Sequence, residues 1–212
     1  MKGKFIVFEG IDGSGTSTQA ELLKKYFLEK KKNCHLTSEP SEGPIGNMIR
    51  QAFKGRLNLS KGENPYLQDG DLFDEQMAYL FAADRHDHLY NQVDGVEKSL
   101  STGASVISTR YFFSSYAYHC RSESDFQLVS SLNARFPNPD LVIYLNNPVN
   151  VSMQRMENRA FKDEYENEQK LHLVKKNYDK VFQNYEGKLI IIDATSASLE
   201  IHNSIVDVVR EL

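Results

Sequence analysis

Short apolar runs alternate along the chain with longer stretches in which apolar residues recur at helical spacing. The runs lie at 4–8 (KFIVF), 105–108 (SVIS), 140–146 (DLVIYLN) and 188–193 (KLIIID), with a weaker one at 34–38 (CHLTS) that Glu39-Pro40 stops. Each is too short for a helix and rich in β-branched or aromatic residues, so each predicts a strand. Between them, 17–32 predicts a helix whose apolar face is Ala20, Leu22, Leu23, Tyr26, Phe27 and Leu28. Helical patterns also cover 44–56, 72–100, 112–135, 149–159, 164–186 and 197–212. Residues 61–71 (KGENPYLQDGD) predict a polar loop marked by glycine and proline.

Strands that alternate with helices imply βαβ units, hence an α/β fold: a five-stranded parallel sheet with helices on both faces. The near-continuous apolar character of FIVF and LVIYL agrees, because parallel strands are buried on both sides. In such sheets ligands bind outside the carboxyl ends of the strands, so the residues that follow each strand carry the chemistry. The 212 residues suit one domain, 1–212. A net charge of −4 gives no basic bias toward nucleic acid. No apolar stretch approaches a membrane span, and two cysteines without CxxC spacing, Cys34 and Cys120, predict free thiols in a reducing, cytoplasmic setting.

After the first strand comes Gly10-Ile11-Asp12-Gly13-Ser14-Gly15-Thr16-Ser17-Thr18. Gly10 and Gly15 have the spacing of the phosphate-binding P-loop, GxxxxGK[ST], and Ser17 takes its hydroxyl position. Backbone N–H groups of such a loop wrap phosphate oxygens, and the helix that follows adds its positive end. Ser17 is the expected Mg²⁺ ligand. Position 16 departs from the pattern: Thr16 stands where a lysine would make a charge-assisted phosphate contact.

The longer string FEGIDGSGTSTQ, Phe8 to Gln19, resembles the opening of thymidylate kinases, and the likeness continues in order. SEP (38–40), LFAADR (80–85), TRYFFSSYAY (109–118), NPDLVIYLNNP (138–148), RMENR (155–159) and DEYEN (163–167) each resemble a segment of that family. The resemblance implies a P-loop kinase fold with a small lid at about 155–168, transfer of a phosphoryl group from ATP to dTMP with Mg²⁺, and a homodimer built through the 72–90 region. It implies that residues 10–18 bind ATP and that Phe81 stacks on thymine. Arg85 and Arg110 would grip the acceptor phosphate, and Tyr118 would lie near the base or sugar. Tyr165 would sit by the deoxyribose and Asp12 on the acceptor side. Arg155 and Arg159 would close over the ATP phosphates; with Gly13 in the loop, the chain resembles the variety whose arginines come from the lid. Arginine suits the task, since guanidinium meets phosphate with two donors at once.

Besides Thr16, Ser38 stands where the family has an arginine before Glu-Pro, and Thr109 where it has an aspartate before Arg-Tyr. These departures leave two alternatives beside a dTMP kinase: a kinase for another nucleoside monophosphate such as dUMP, or a catalytically impaired nucleotide-binding protein. The retained Phe81, Arg85, Arg110 and Tyr165 favour dTMP.

Overall fold

The computed structural model describes residues 2–65, 70–157, 165 and 167–212. The strands are β1 (Phe5–Glu9), β2 (Cys34–Ser38), β3 (Ser105–Thr109), β4 (Leu141–Asn146) and β5 (Leu189–Asp193). They form one five-stranded sheet in the order β2-β3-β1-β4-β5, parallel throughout. The helices are α1 (Thr16–Glu29), α2 (Pro44–Phe53), α3 (Leu72–Tyr90), α4 (Val96–Ser101), α5 (Phe112–His119), α6 (Glu123–Asn133), α7 (Val149–Met156), α8 (Glu168–Gln183) and α9 (Ser198–Val209).

Side chains of a strand point alternately to its two faces, and the core splits accordingly. Phe5, Val7, Val106, Val142 and Tyr144 pack with residues of α2, α3, α5 and α8. Ile6, Phe8, Ile107, Leu141, Ile143 and Leu145 pack with α1 and α9. Every residue of β1 is buried. The central strand therefore has helices on both sides, and its free carboxyl end, between the neighbours β3 and β4, is where the chain leaves room for a ligand. Among the described residues no helix is long and apolar enough to cross a membrane.

Two helices expected as single runs are each divided. The 72–100 stretch breaks after Tyr90, where Asn91 turns extended (ψ 149°) and its side-chain oxygen accepts from the N–H groups of Val93 and Asp94, both at 2.9 Å. Asparagine competes with the helix by bonding backbone two residues on, and Gly95 then opens α4. The 112–135 stretch breaks at Cys120–Ser122. Ser122 caps α6 by accepting from Asp125 N, while the Asp125 carboxylate accepts from the N–H groups of Arg121 and Ser122, each at 2.8 Å. That reciprocal box makes a new helix start cheaper than continuation through 120–122. The break turns α6 so that Asn133 reaches the core beside α3.

Ser122→Ala deletes the cap and is expected to lower stability by ~1 kcal/mol, read as a fall in the urea midpoint without a change in slope.

Candidate active site

The turn from β1 into α1 has Gly13 at φ +81° and Gly15 at φ +99°, left-handed conformations that suit glycine. A Cβ on Gly13 would also stand 2.8 Å from the Ser152 carbonyl oxygen of α7. Gly15 is the N-cap of α1, whose first turn carries no acidic side chain, so its positive end is unopposed. A cavity of about 640 Å³ opens above it, lined by Asp12 through Thr18 with Glu39, Thr109, Arg110 and Arg155. Gly10 and Ile11 lie below: Gly10 gives its carbonyl to Arg110, and Ile11 is buried in the core. Arg155, at the end of α7, spans the cavity by donating to the carbonyls of Ala194 at 2.8 Å and of Gly13 and Ser14 at 3.4 Å. Arg159 and most of the expected lid lie outside the described residues.

A second cavity of about 290 Å³ adjoins the first. Phe53, Phe81, Tyr118, His119 and Tyr165 line its apolar part, and Asp12, Glu39, Arg50 and Arg110 its polar part. Asp12, Glu39 and Arg110 belong to both cavities. Tyr165 packs against Phe53, Phe73 and Tyr118 at ring-centroid distances of 5.4, 5.8 and 5.6 Å. Lys170 stands over the Tyr165 ring at 4.6 Å while bonded to Asp74, so a buried ion pair supports this wall from behind. His119 lies 5.2 Å from Phe81. Burial first, then the neighbouring charges of Lys170 and Arg85, push its pKa well below the usual value, so its imidazole is neutral.

Arg110 sits at the junction. It follows β3 with φ +73°, a conformation that non-glycine residues adopt only where surrounding contacts impose it. Its Nη2 pairs with Asp12 and donates to Tyr118 Oη at 3.1 Å. Its Nη1 donates to Gly10 O and Ser114 Oγ, both at 3.1 Å, and to Tyr178 Oη at 3.3 Å. Tyr118 donates to Asp12 at 2.8 Å, and the Arg110 guanidinium stands over its ring, with 4.9 Å between Cζ and the ring centroid. Beneath these, Glu9 at the end of β1 is fully buried and accepts from Tyr111 N, Ser114 Oγ and Tyr178 Oη at 2.7–2.8 Å.

Arg85 does not join Arg110 on the cavity wall. It is fully buried on α3 and is not among the lining residues. It donates to Glu39 and to Asn133, both at 2.6 Å, and its guanidinium lies 5.5 Å from the Tyr111 ring. Glu39 lines both cavities from the β2–α2 turn, and Arg85 is its cationic partner, because a buried carboxylate requires a cation. His88 contacts the other Glu39 oxygen at 3.2 Å.

Thr16, Ser38 and Thr109, scattered in sequence, converge beside Ser17. Thr16 and Ser17 line the loop cavity with Thr109, and Ser17, Ser38 and Thr109 line a neighbouring one. Ser38 and Thr109 are register partners across β2 and β3. The arginine and aspartate that the family resemblance places there would therefore lie side by side, and here both are replaced together by neutral hydroxyls, which keeps the local charge balance. Thr16 has no such matched change.

Arg50, Lys54, Glu39 and His119 also line the second cavity, and the sequence pattern assigns none of them a role. Arg50 on α2 is held toward the cavity by the carbonyls of Pro40 and Ser41 and by Glu42. A lone arginine on an amphipathic helix carries no sequence signal for this. Glu39 lies inside the SEP segment, which was the available pointer.

A family model described as "Thymidylate kinase" matches residues 8–205. Proteins described as "Probable thymidylate kinase" are similar over almost the full length: one from Thermococcus onnurineus is 39% identical over 97% of this chain and 97% of its own. One from Thermococcus gammatolerans is 37% identical over 99% and 97%, and one from Methanococcus aeolicus 35% identical over 96% and 94%.

Arg85→Met would leave the Glu39 carboxylate buried without its guanidinium partner. The expected loss is ~3–5 kcal/mol in urea unfolding. Arg110→Ala, at the cavity edge, is expected to lower the same midpoint much less.

Proposed function

The chain belongs to the thymidylate kinase family, and we propose that its two adjoining cavities hold the two substrates of that family's reaction, transfer of a phosphoryl group from ATP to dTMP to give ADP and dTDP. The observation that carries this reading is the shared wall: Asp12, Glu39 and Arg110 face both cavities, so a group in one is a near neighbour of a group in the other. In-line phosphoryl transfer needs two phosphates brought together and their charge neutralised, with little covalent help from the protein.

ATP phosphates lie over residues 10–18, against the N–H groups of the loop and the positive end of α1. The dTMP base lies among Phe81, His119 and Tyr165, and its phosphate meets Arg110 and Arg50 at the polar end of that cavity. The neutral imidazole of His119 offers one donor and one acceptor to the base edge. Tyr165 supports the sugar end, and Tyr118 and Asp12 fix the face that Arg110 presents. The acceptor phosphate oxygen attacks the γ-phosphorus directly, and the β–γ bridging oxygen leaves with ADP. Ser17, on the first turn of α1 and facing the loop cavity, is a hard oxygen donor of the kind Mg²⁺ takes, alongside water and phosphate oxygens, so the residues present fit that ion. Bound there, it supplies neutralising charge at the β- and γ-phosphates. The segment at about 155–168 closes as a lid that excludes water, with Arg155 and Arg159 brought to the ATP phosphates. Residues 1–212 act as one kinase domain in the cytoplasm, and two copies pair along α3, whose Tyr79 and Tyr90 side chains are exposed.

Purified protein with ATP and Mg²⁺ is expected to release ADP with dTMP and far less with dUMP, dCMP, AMP or GMP. Arg110→Ala should lower turnover by about 10²–10³-fold, the usual cost of a lost phosphate-stabilising contact. Near-normal turnover in that variant would rule out this acceptor site. Thr16→Lys, which places a cation where the lining cations are Arg110 and Arg155, is expected to raise the rate. An unchanged rate would mean that the lid already supplies that charge.

A further inference from the structure

Glu9 has no direct contact with either cavity, yet the buried polar network of the site converges on it. Its Oε2 accepts from Ser114 Oγ and Tyr178 Oη, both at 2.7 Å, and its Oε1 from Tyr111 N at 2.8 Å. The same two hydroxyl oxygens accept from Arg110 Nη1, at 3.1 and 3.3 Å. Guanidinium only donates. Arg110 therefore donates to each hydroxyl, and an ionised Glu9, which can only accept, draws their protons toward Oε2; the two hydroxyls also lie 2.9 Å from each other, where either can donate. Two such chains run in parallel from one nitrogen of Arg110 to one oxygen of Glu9.

We propose that Glu9 is a positioning residue for the transfer, whose ionised carboxylate acts through Ser114 and Tyr178 to hold the Arg110 guanidinium at the junction of the two cavities. The inference rests on the reading of Arg110 as the acceptor-phosphate ligand. Four parts of the chain meet in the arrangement: β1 supplies the carboxylate, α5 and α8 the two hydroxyls, and the turn after β3 the guanidinium. Only the anion satisfies both chains with charge-assisted bonds, which are shorter and about twice as strong as neutral ones. Arg110 also needs such support, because its backbone is left-handed and its side chain ends where a phosphate must be met within a narrow tolerance.

The titration of Glu9 makes the arrangement pH-sensitive. Burial raises its pKa from the ordinary 4.5 to about 7, opposed by Arg110 and by the donors Ser114, Tyr178 and Tyr111 N. The groups facing it are Arg110 from the β3–α5 turn, Tyr178 from α8 and Tyr144 from β4; both tyrosines have raised pKa values, so neither ionises near neutrality. Across the window from 4.5 to about 7 the unfolded chain carries Glu9 ionised while the folded chain holds its proton, so ionising it in place costs stability as pH rises. A purely structural role would be met better by a neutral residue. Activity that requires the anion has the opposite slope and rises with pH through about 7.

The test compares wild type, Glu9→Gln and Tyr178→Phe in steady-state ADP release over about pH 5.5–9, with thermal unfolding as a check of the fold. Glutamine is nearly isosteric and mimics the protonated acid. At about pH 8 it is expected to lower kcat/KM for dTMP by about 10- to 100-fold, the scale of a misplaced catalytic contact, with KM for ATP within about twofold. The wild-type rise through about 7 should vanish in this variant. The second ionisation of the dTMP phosphate, near about 6, remains as an internal control in both proteins. Tyr178→Phe removes one donor to the anion, so its profile should shift to higher pH with a smaller loss of rate. Glu9→Gln with wild-type kcat/KM, or with the inflection still in place, would overturn the proposal. If Arg110→Ala also turns over normally, the acceptor-site reading has failed; if only Glu9→Gln does, this inference alone has.

Discussion

Arg110 is the point at which the separately folded parts of the site are tied together. A single guanidinium reaches the P-loop through Gly10 and Asp12, α5 through Ser114 and Tyr118, and α8 through Tyr178. None of these segments is adjacent to another in sequence. Each leaves the carboxyl end of a strand or packs across it, so only a long, rigid, multiply donating side chain rooted at that edge can reach them all. The left-handed backbone at Arg110 is the visible strain of that position.

The carboxylates around it divide the labour by depth. Asp12 stands at the surface of the cavities and faces Arg110 directly. Glu9 lies one layer down and reaches the same guanidinium through hydroxyls. Glu39 forms part of the shared wall with little exposure and is held by Arg85, whose guanidinium is itself enclosed by Asn133, Ser115 and the Tyr111 ring. A buried charge is tolerable only with its counter-charge and hydrogen bonds in place, so Arg85 is enclosed with Glu39 while Arg110 faces the two cavities. The apolar half of the second cavity follows the same logic, with neutral His119 among aromatic rings and the Lys170–Asp74 pair kept behind Tyr165.

The changed loop residues acquire meaning from this geometry. Ser38 and Thr109 are neighbours across two strands, so their joint change removes a matched pair of opposite charges. Thr16 alone leaves the loop cavity with one cation fewer than the P-loop pattern would give it, and Arg155 already reaches across that cavity from α7.

The order of strands and helices, the double-sided burial of β1 and β4 and the position of the phosphate loop are written in the sequence. They depend on local period, on glycine spacing and on the rule that parallel strands are covered on both faces. The ordered family segments likewise point to Phe81, Arg110, Tyr118 and Tyr165, which the fold gathers around one cavity. Helix ends were legible only in part: the breaks at Asn91 and Ser122 depend on side-chain bonds to nearby backbone that the apolar period conceals. Where Arg85 points, what Arg50 faces and which groups Glu9 connects were decided by tertiary structure alone. These are questions of which charges become enclosed and which partners then lie within hydrogen-bonding distance, and residues 102 and 169 positions away from Glu9 supply its donors. Sequence pattern fixes the face on which a side chain emerges, but the burial and counter-charge that set its role exist only once the chain has folded.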